Sequence, residues 1–415
     1  MRHHRFVRFA AVLLLTVAAV TYLLLRFPAD RNDTGTLLDF SEFYAAGQIV
    51  RHGLGGSLYD LKTQAEFQLQ VAPVHAFYLR PPFEALLFVP FTYLSYRGAY
   101  LAWTIFCLAV LLTTGWIIQS NTGVLDAMRQ YARGIPVDLG LLFVIFLTFE
   151  PTMDCLLIGQ DAVMMLLVYT LVYVALARQR EAAAGALLAC GLFKFHLVLP
   201  FALIFLLRRR WSFLLGFCAV ALLLFGLSLA VSGPHVIRSY ALMFLDPGYR
   251  KLMGFQPEYA ANFRGLVYVL GGSRISPIAS AAILSILSVV LVWRTATTWN
   301  NSELGLSFSA AVIAALLTGV HSFVYDLCVV LLPVAIVCGE LAKRQALLKN
   351  WVLNVTVTVL FIPLVHHLLI VKQVYALMAL VLLALFVIVS RTMLRKAESS
   401  RTYQGTSVTL MHSQF

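Results

Sequence analysis

The stretch 36–84 contains three motifs, LLDFSEFYAAG (37–47), GSLYD (56–60) and FYLRPPFEALL (77–87), and forms the first long polar interruption in the chain. It follows an apolar run at 9–25 that is preceded by basic residues. An apolar run of this length with a basic leading end predicts a first membrane helix whose N-terminus is cytoplasmic. We therefore expect any polar chemistry of the chain to begin directly after this first span.

Two carboxylates stand close together in the first motif. Asp39 and Glu42 are three residues apart among aromatic residues that include Tyr44. Residues three apart share one face of a helix, so both side chains are expected to point into one cleft beside the membrane. The alternative is a surface helix with Asp39 as its N-cap and Glu42 as a solvated acid in its first turn, an arrangement that suits the helix dipole equally well.

Composition excludes an ordinary soluble domain. Hydrophobic residues make up 60% of the chain and charged residues only 12%, against about 25% charged in soluble domains. Mean hydropathy is +0.85. The formal charge of +12 does not indicate nucleic-acid binding, because no basic face with interleaved aromatic residues is present. The six cysteines show no paired spacing and are interpreted as small buried hydrophobes. The fold class predicted is an all-α polytopic membrane protein.

Hydropathy predicts about twelve membrane spans in a single integral domain covering 1–415. Several of them are shorter than the roughly 20 residues of a full crossing, so they are expected to pack inside the bundle, to tilt or to line a cavity. The apolar segment 82–96 is too short to cross and is expected to lie along the outer surface. The predicted spans are 9–25, 98–119, 139–149, 161–176, 182–193, 197–207, 213–231, 277–293, 304–320, 325–338, 351–371 and 375–390.

The distribution of charge orients this topology. Placing the two tails and the short connecting loops on one side collects 18 Lys+Arg against 6 Asp+Glu there, and the other side keeps 13 of each. By the positive-inside rule the first side is cytoplasmic. Both termini, including the tail 391–415, are then cytoplasmic, and the long loops 28–97 and 232–276 are outside. The polar residues that look expensive to bury lie almost entirely on the outer side, which predicts one outward-facing site.

The chain resembles a known family through the order of its motifs. These are LLDFSEFYAAG, SLYD, FYLRPPFEALLFVPF, FEPTMDCLLIGQDAVMMLL, GLFKFHLVLPFALIFLLRRRW, ANFRGLVYVLGG and HSFVYDLCVVLLP. In this order they resemble the signatures of glycosyltransferase family 87, bacterial polyprenol-phosphate-mannose-dependent α-mannosyltransferases of the GT-C fold. The resemblance extends from Thr36 to about Pro333.

The resemblance implies transfer of a hexose, expected to be mannose, from a polyprenyl-phosphate donor to a hydroxyl of a lipid or glycan acceptor. It implies reaction on the outer face of the cytoplasmic membrane, with inversion at the anomeric carbon. An aspartate soon after the first span is the general base in such enzymes, and Asp39 stands at that position. A carboxylate within reach of the acceptor hydroxyl suits an oxocarbenium-like reaction.

The leaving phosphate calls for positive charge, and Lys194 is the strongest candidate. It stands where two short apolar segments meet, and an unpaired lysine inside a membrane costs about 2.5–3.5 kcal/mol. Its neighbour His196 adds a second donor. The alternative is that Lys194 only extends to the membrane interface.

The other candidates each have a structural alternative. Gln160 is expected to hold a sugar hydroxyl or to cap the following span. His321 and Asp326 flank an outer turn and are expected to bind sugar hydroxyls or the phosphate, and His321 would share a helical face with Tyr325 if that turn is helical. The alternative is a His321 satisfied by a neighbouring backbone carbonyl. Arg264 is expected to contact anionic lipid heads or the donor phosphate. The residues predicted to bind substrate are Glu42, Tyr44, Arg80, Gln160, Lys194, His196, Asn262, Arg264, His321, Tyr325 and Asp326.

No DxD pair or His/Cys cluster with ligand spacing stands near these residues, so neither a metal nor another cofactor is expected. The expected partners are the lipid-linked donor, the acceptor and membrane lipids.

Two other classes remain open at this stage, a transporter or flippase of a polar lipid and an inactive scaffold for envelope assembly. A transporter is disfavoured by the one-sided placement of charge and by the lack of a visible internal repeat.

Overall fold

The computed structural model describes residues 39–72, 76–132, 136–243 and 256–393. Helices make up the regular structure of these ranges, and no β-strand occurs among them. Together with the apolar composition, this confirms the prediction of a polytopic helical membrane protein. The predicted first span at 9–25 and the tail 391–415, apart from its first three residues, lie outside the described residues.

The α-helices are numbered in chain order, and the last of them begins with a short 3₁₀ turn. They are α1 Phe40–Arg51, α2 Leu61–Gln68, α3 Pro82–Phe88, α4 Tyr96–Thr122, α5 Val124–Tyr131, α6 Leu139–Leu147, α7 Glu150–Ile158, α8 Ala162–Ala177, α9 Glu181–Ala189, α10 Phe195–Leu207, α11 Trp211–Ser232, α12 Pro234–Met243, α13 Phe263–Gly271, α14 Pro277–Thr298, α15 Leu304–Thr318, α16 Leu331–Lys343, α17 Trp351–Phe361, α18 Pro363–Val371 and α19 Tyr375–Met393. Further 3₁₀ segments are Gly55–Ser57, Val89–Tyr93, Leu192–Lys194, Pro257–Tyr259, Gly272–Arg274, Asn301–Glu303 and Val324–Val330.

Six helices of the described chain are long and apolar enough to cross a membrane. They are α4, α11, α14 and α19, together with Asn301–Thr318 and Val324–Lys343, in which a 3₁₀ segment leads into α15 and α16. Three further helix pairs reach this length only together and bend sharply at a short break. The bends are 68° between α6 and α7, 64° between α9 and Leu192–Leu207, and 63° between α17 and α18.

The described residues therefore support six to nine spans, and the predicted count of twelve is not reproduced. The segments predicted as separate spans at 182–193 and 197–207 form one bent pair. The segment predicted at 161–176 is the 16-residue helix α8, which is short for a crossing. Hydropathy locates apolar runs, but it cannot distinguish one broken span from two short ones.

A cluster of aromatic side chains joins the first helices to α4. Phe40 and Phe43 of α1 are fully buried, and the rings of Phe43 and Phe88 stack with centroids 4.7 Å apart. The ring of Trp103 on α4 lies 4.8 Å from that of Phe88. The segment 82–96 contains α3 followed by a 3₁₀ turn, and its position along the outer membrane surface stays a prediction. Helix α3 packs against α1. This packing fixes the start of α1, where Asp39 stands.

Helices α9 and α11 touch through two glycines. A methyl group added at Gly185 would overlap the backbone carbonyl of Phe213, and one added at Gly216 would overlap that of Ala182. Small residues of this kind allow close backbone approach between membrane helices. The contact holds the N-terminal half of α11 against α9, the first helix of the bent pair.

We expect Gly216→Ala to lower the midpoint of thermal unfolding in detergent. The added methyl forces apart two backbones, and such overpacking costs about 1–3 kcal/mol. Gly226→Ala on the same helix is the matched control, because a methyl there meets nothing within 4 Å. In a helix interior that exchange stabilises by about 0.5–1 kcal/mol. Equal midpoints for the two variants would contradict the close contact of α9 and α11.

Candidate active site

A cavity of about 520 Å³ opens between the start of α1 and the breaks that precede α8, α10 and α16. Its volume lies in the range of about 300–1,000 Å³ typical of small-molecule sites. The structure brings nine of the twelve predicted site residues to its wall. They are Asp39, Glu42, Arg80, Gln160, Lys194, His196, His321, Tyr325 and Asp326.

Asp39 stands immediately before α1 and does not act as its cap. Its backbone is already helical, and its side chain makes no capping hydrogen bond. Instead, Asp39 Oδ2 accepts a hydrogen bond of 2.6 Å from Gln160 Nε2. The side chain is therefore directed into the cavity, and the alternative of a capped surface helix does not describe this segment.

Glu42 lies on the same face of α1, one turn further along, and is only 7% exposed. Burial, followed by the charge of Asp39, raises the pKa of Glu42 well above its usual range. Burial therefore favours the neutral form of Glu42. A neutral carboxyl can donate a hydrogen bond as well as accept one.

The turn that carries Gln160 is fixed by its neighbours. Gly159 ends α7 with φ of 78°, and a methyl group added there would come within 2.5 Å of Phe40 Cβ. Only glycine adopts this positive φ without strain and also leaves room for Phe40. Trp103 Nε1 donates to the Gly159 carbonyl at 3.0 Å, and Tyr100 Oη donates to the carbonyls of α7. The turn is therefore held from α4 on one side and from α1 on the other.

Arg80 extends from the segment before α3 to the same turn. Its Nη2 donates to Gln160 Oε1 at 2.9 Å and lies 3.7 Å from Asp161 Oδ1. Its Nη1 donates to the Phe193 carbonyl at 3.3 Å. The guanidinium side chain is 15% exposed, so it is the more accessible of the two cations in the cavity.

Lys194 is fully buried between two carboxylates. Its Nζ lies 2.8 Å from Asp161 Oδ1 and 2.8 Å from Asp326 Oδ1. The ammonium also lies 5.0 Å from the centroid of the Tyr325 ring, within the range of a cation–π contact. Lys194 does not extend to an interface, and its charge is balanced by acids of the protein itself.

The residues that follow α15 reach the cavity wall from an irregular turn and a 3₁₀ segment. His321 lies in the irregular turn 319–323, while Tyr325 and Asp326 lie on the 3₁₀ segment that follows. The turn is not helical, so the shared face that was predicted for a helical turn does not form. Asp326 Oδ2 accepts from the Phe323 backbone N–H at 3.0 Å and lies 3.9 Å from His196 Nε2. Turn and 3₁₀ geometry nevertheless bring all three predicted side chains to the same wall.

His321 faces the cavity in its neutral form. Burial, followed by the positive charge of Arg264, lowers the pKa of His321 to about 3. Its ring lies 6.2 Å from that of His196. A neutral imidazole offers one donor and one acceptor, which suits hydroxyl groups of a ligand.

Three predicted site residues are not among those that line the cavity in the described part of the chain. Tyr44 donates from its Oη to the Leu94 carbonyl at 2.8 Å. Asn262 caps α13 through Oδ1 and donates from Nδ2 to the Gly319 carbonyl at 2.6 Å. Arg264 acts on His321 by charge. Tyr44 and Asn262 support the architecture, and Asn262 anchors the turn that carries His321.

The residues predicted to bind substrate omit two buried acids. Asp161 was counted among the outer polar residues that are costly to bury but was not assigned to the site, and it pairs with Arg80 and Lys194. Glu84 of α3 is 3% exposed and faces Asp161. Burial, the charge of Asp161 and a hydrogen bond with it raise the pKa of Glu84 well above its usual range. The cavity is also lined by Asp154, Gln256 and Tyr259.

No group of three or more His, Cys, Asp or Glu side chains placed to hold a metal occurs in the part of the chain that the structure describes. The absence of a metal requirement remains a prediction.

The fold and the cavity describe an integral membrane protein with a polar, small-molecule-sized site between broken helices. The model of glycosyltransferase family 87 matches residues 78–322, which is more than half of the chain. The chain therefore belongs to glycosyltransferase family 87, as its motif order predicted, and family membership implies a membrane glycosyltransferase with a sugar donor and an acceptor. No curated protein matches the chain. The matched residues include Arg80, Gln160 and Lys194 but not Asp39, so the role of Asp39 depends on its geometry.

We expect Glu84→Gln to reduce the loss of stability at high pH. Because Glu84 binds its proton more tightly when folded, the stability linked to it is complete below the unfolded glutamate pKa of about 4.3 and is lost as pH rises through the raised folded value. Between pH 5 and 9 the midpoint of thermal unfolding in detergent should fall further in the wild type than in the variant, by about 2 °C or more. Glu66→Gln, at an exposed position of α2, is the control and should follow the wild type. Parallel curves for all three proteins would exclude a buried proton on Glu84.

Proposed function

We propose that this protein transfers a hexose, expected to be mannose, from a polyprenyl-phosphate donor to a hydroxyl group of a lipid or glycan acceptor, with Asp39 as general base. The observation that carries the proposal is the placement of Asp39 at the cavity wall, where its carboxylate is hydrogen-bonded to Gln160. Family membership supports the reaction class, and the resemblance to GT-C enzymes supports the donor class.

The proposed step is an inverting displacement at the anomeric carbon. The acceptor oxygen forms a bond to that carbon while the bond from the carbon to the donor phosphate oxygen breaks. The acceptor proton passes to Asp39, and the lipid phosphate leaves with the electron pair. A positioned base contributes about 10²–10⁴-fold to such a reaction.

The leaving phosphate gains negative charge as its bond to the sugar breaks, so nearby cations favour the transition state. Arg80 is the better direct ligand because part of its guanidinium is exposed to the cavity. Lys194 supplies charge from behind, since both neighbouring carboxylates already contact it. This division of roles revises the prediction that Lys194 is the main phosphate ligand.

The sugar is assigned to the wall that carries neutral polar groups. Burial favours the neutral form of Glu42 and lowers the pKa of His321 to about 3, and a neutral carboxyl or imidazole can both donate and accept hydrogen bonds. Tyr325 and His196 line the same part of the cavity. Family membership favours transfer over the rival classes of transporter or inactive scaffold.

The proposed topology places both termini in the cytoplasm and the cavity on the outer side of the bacterial cytoplasmic membrane. It is supported by the excess of basic residues in the loops assigned to the inside. The GT-C-like bundle with a long first outer loop is part of the same proposal.

Impermeant thiol reagents test this topology in intact cells. In a background without the six native cysteines, Lys62→Cys on α2 should be labelled and Lys349→Cys should be protected. Both positions are exposed in the structure, so protection reports the side of the membrane and not burial. Permeabilised cells, in which both should react, provide the control. The reverse pattern would move the cavity to the cytoplasmic side.

Asp39→Asn is expected to lower the transfer rate from a polyprenyl-phosphate-linked hexose by at least about 100-fold, the lower end for a lost base. The exchange keeps the size of the side chain and removes its ability to take a proton. Unfolding temperature should change little, because Asp39 does not cap α1 through its side chain. Transfer is measured with purified protein in lipid nanodiscs.

Glu42→Gln separates the two carboxyl groups of the motif. Glutamine resembles the neutral form in which Glu42 is held, so the loss should stay within about tenfold, the effect of one neutral hydrogen bond of about 1 kcal/mol. If Asp39→Asn keeps the wild-type rate while Glu42→Gln is inactive, the base lies one helical turn further along. If both variants are fully active, this motif does not supply the base.

A further inference from the structure

We propose that Gln160 is a positioning residue, which orients the Asp39 carboxylate and holds it in its ionised form by linking it to the buried ion pairs behind the cavity. The inference deepens the proposed function and depends on it for the catalytic role of Asp39. It replaces the two roles predicted for Gln160, a ligand of a sugar hydroxyl or a helix cap.

The direction of the Gln160 amide follows from its partners. Arg80 can only donate hydrogen bonds, so the atom facing its Nη2 at 2.9 Å must be the amide oxygen. The amide nitrogen then faces Asp39 Oδ2 at 2.6 Å. Asp39 is thus given an N–H donor, and hydrogen bonding to the charged form of a carboxyl group favours that form. Rotating the amide by half a turn would set donor against donor at Arg80.

Arg80 is itself fixed by the ion pairs, so the amide has little freedom. Its Nη2 lies 3.7 Å from Asp161 Oδ1, and the same oxygen lies 2.8 Å from Lys194 Nζ. Lys194 in turn contacts Asp326. A continuous series of polar contacts therefore runs from Asp39 through Gln160 to Asp326. These contacts join five separate segments of the chain.

The Gln160 backbone is equally constrained. Its N–H donates to the Cys155 carbonyl at 2.8 Å, and its carbonyl accepts from Cys155 Sγ at 3.3 Å. The residue is 2% exposed, although its side chain lines the cavity. Both polar atoms of the amide already have protein partners. These contacts suit a fixed support for Asp39 better than a group that meets a mobile sugar.

Three other ionisable groups interact with Asp39 and bear on how readily it binds a proton. Glu42 on the same helix, Tyr96 of α4 and Tyr325 of the 3₁₀ segment all interact with Asp39 by charge. Each of them disfavours a negative charge on Asp39 only when it is ionised itself, and burial raises the pKa of Glu42. Removing Gln160 takes away a hydrogen bond to the charged form of Asp39, so Asp39 should bind a proton more readily.

The test measures protonation of Asp39 directly. Carbodiimides react with protonated buried carboxyl groups, and peptide mass spectrometry locates the modified residue. In purified protein we expect the pH of half-maximal labelling at Asp39 to rise by one unit or more in Gln160→Leu. In Gln160→Glu, which keeps the shape and places a second carboxyl beside Asp39, the rise should be at least as large. Gln160→Glu also covers the possibility that the leucine variant does not fold. Labelling at Glu84 provides the internal reference.

Kinetics with a polyprenyl-phosphate-linked hexose separate the two roles of Gln160. A positioning role predicts that kcat falls and that the acid limb of its pH profile moves in the same direction as the labelling, with KM for the donor within about twofold. A sugar-binding role predicts a raised KM and unmoved labelling, and that result overturns the inference. If neither the wild type nor the variants transfer the hexose, but the pH of half-maximal labelling at Asp39 still rises in the variants, the contact with Asp39 is supported and the proposed function is overturned. Unmoved labelling in an active enzyme overturns the inference alone.

Discussion

The pairing of Lys194 with Asp161 and Asp326 is the interaction on which the site depends. Moving an ammonium or a carboxylate out of water costs several kcal/mol, and only close partners offset that cost. Removing one partner from such a pair is destabilising by about 3–5 kcal/mol. The three residues belong to three different breaks in the helical bundle, before α8, before α10 and before α16. Their mutual attraction therefore determines how these breaks meet.

Breaks in helices are permitted within a membrane protein only where the freed backbone groups find partners or line a cavity. Each break around this cavity satisfies that condition in its own way. Trp103 binds the Gly159 carbonyl, Arg80 binds the Phe193 carbonyl and Asn262 binds the Gly319 carbonyl. The same side chains thus satisfy the backbone and position the groups that face the cavity.

Much of the site could be predicted from the sequence, because charged residues inside apolar runs are too costly to be accidental. Lys194 was identified on that ground, and it lines the cavity together with the predicted residues Arg80 and Asp326. The sequence could not predict which side chains contact one another. Nothing in the chain order shows that Lys194 would be matched by two acids, or that Asn262 would cap a helix and not meet substrate. The count of spans failed for a related reason, since hydropathy does not detect a bend within an apolar run.

The raised pKa values of Glu42 and Glu84 are consistent with the negative charge of the proposed donor. A lipid phosphate brings negative charge into a site whose cations, Arg80 and Lys194, already contact Asp161. If Glu42 and Glu84 were also ionised, they would repel the phosphate from the position where those cations could stabilise it. Burial raises the pKa of both carboxyl groups, which favours their neutral form and limits the negative charge that a phosphate would meet. Buried carboxyl groups are thus compatible with binding an anion, because the low-polarity surroundings that bury them also oppose their ionisation.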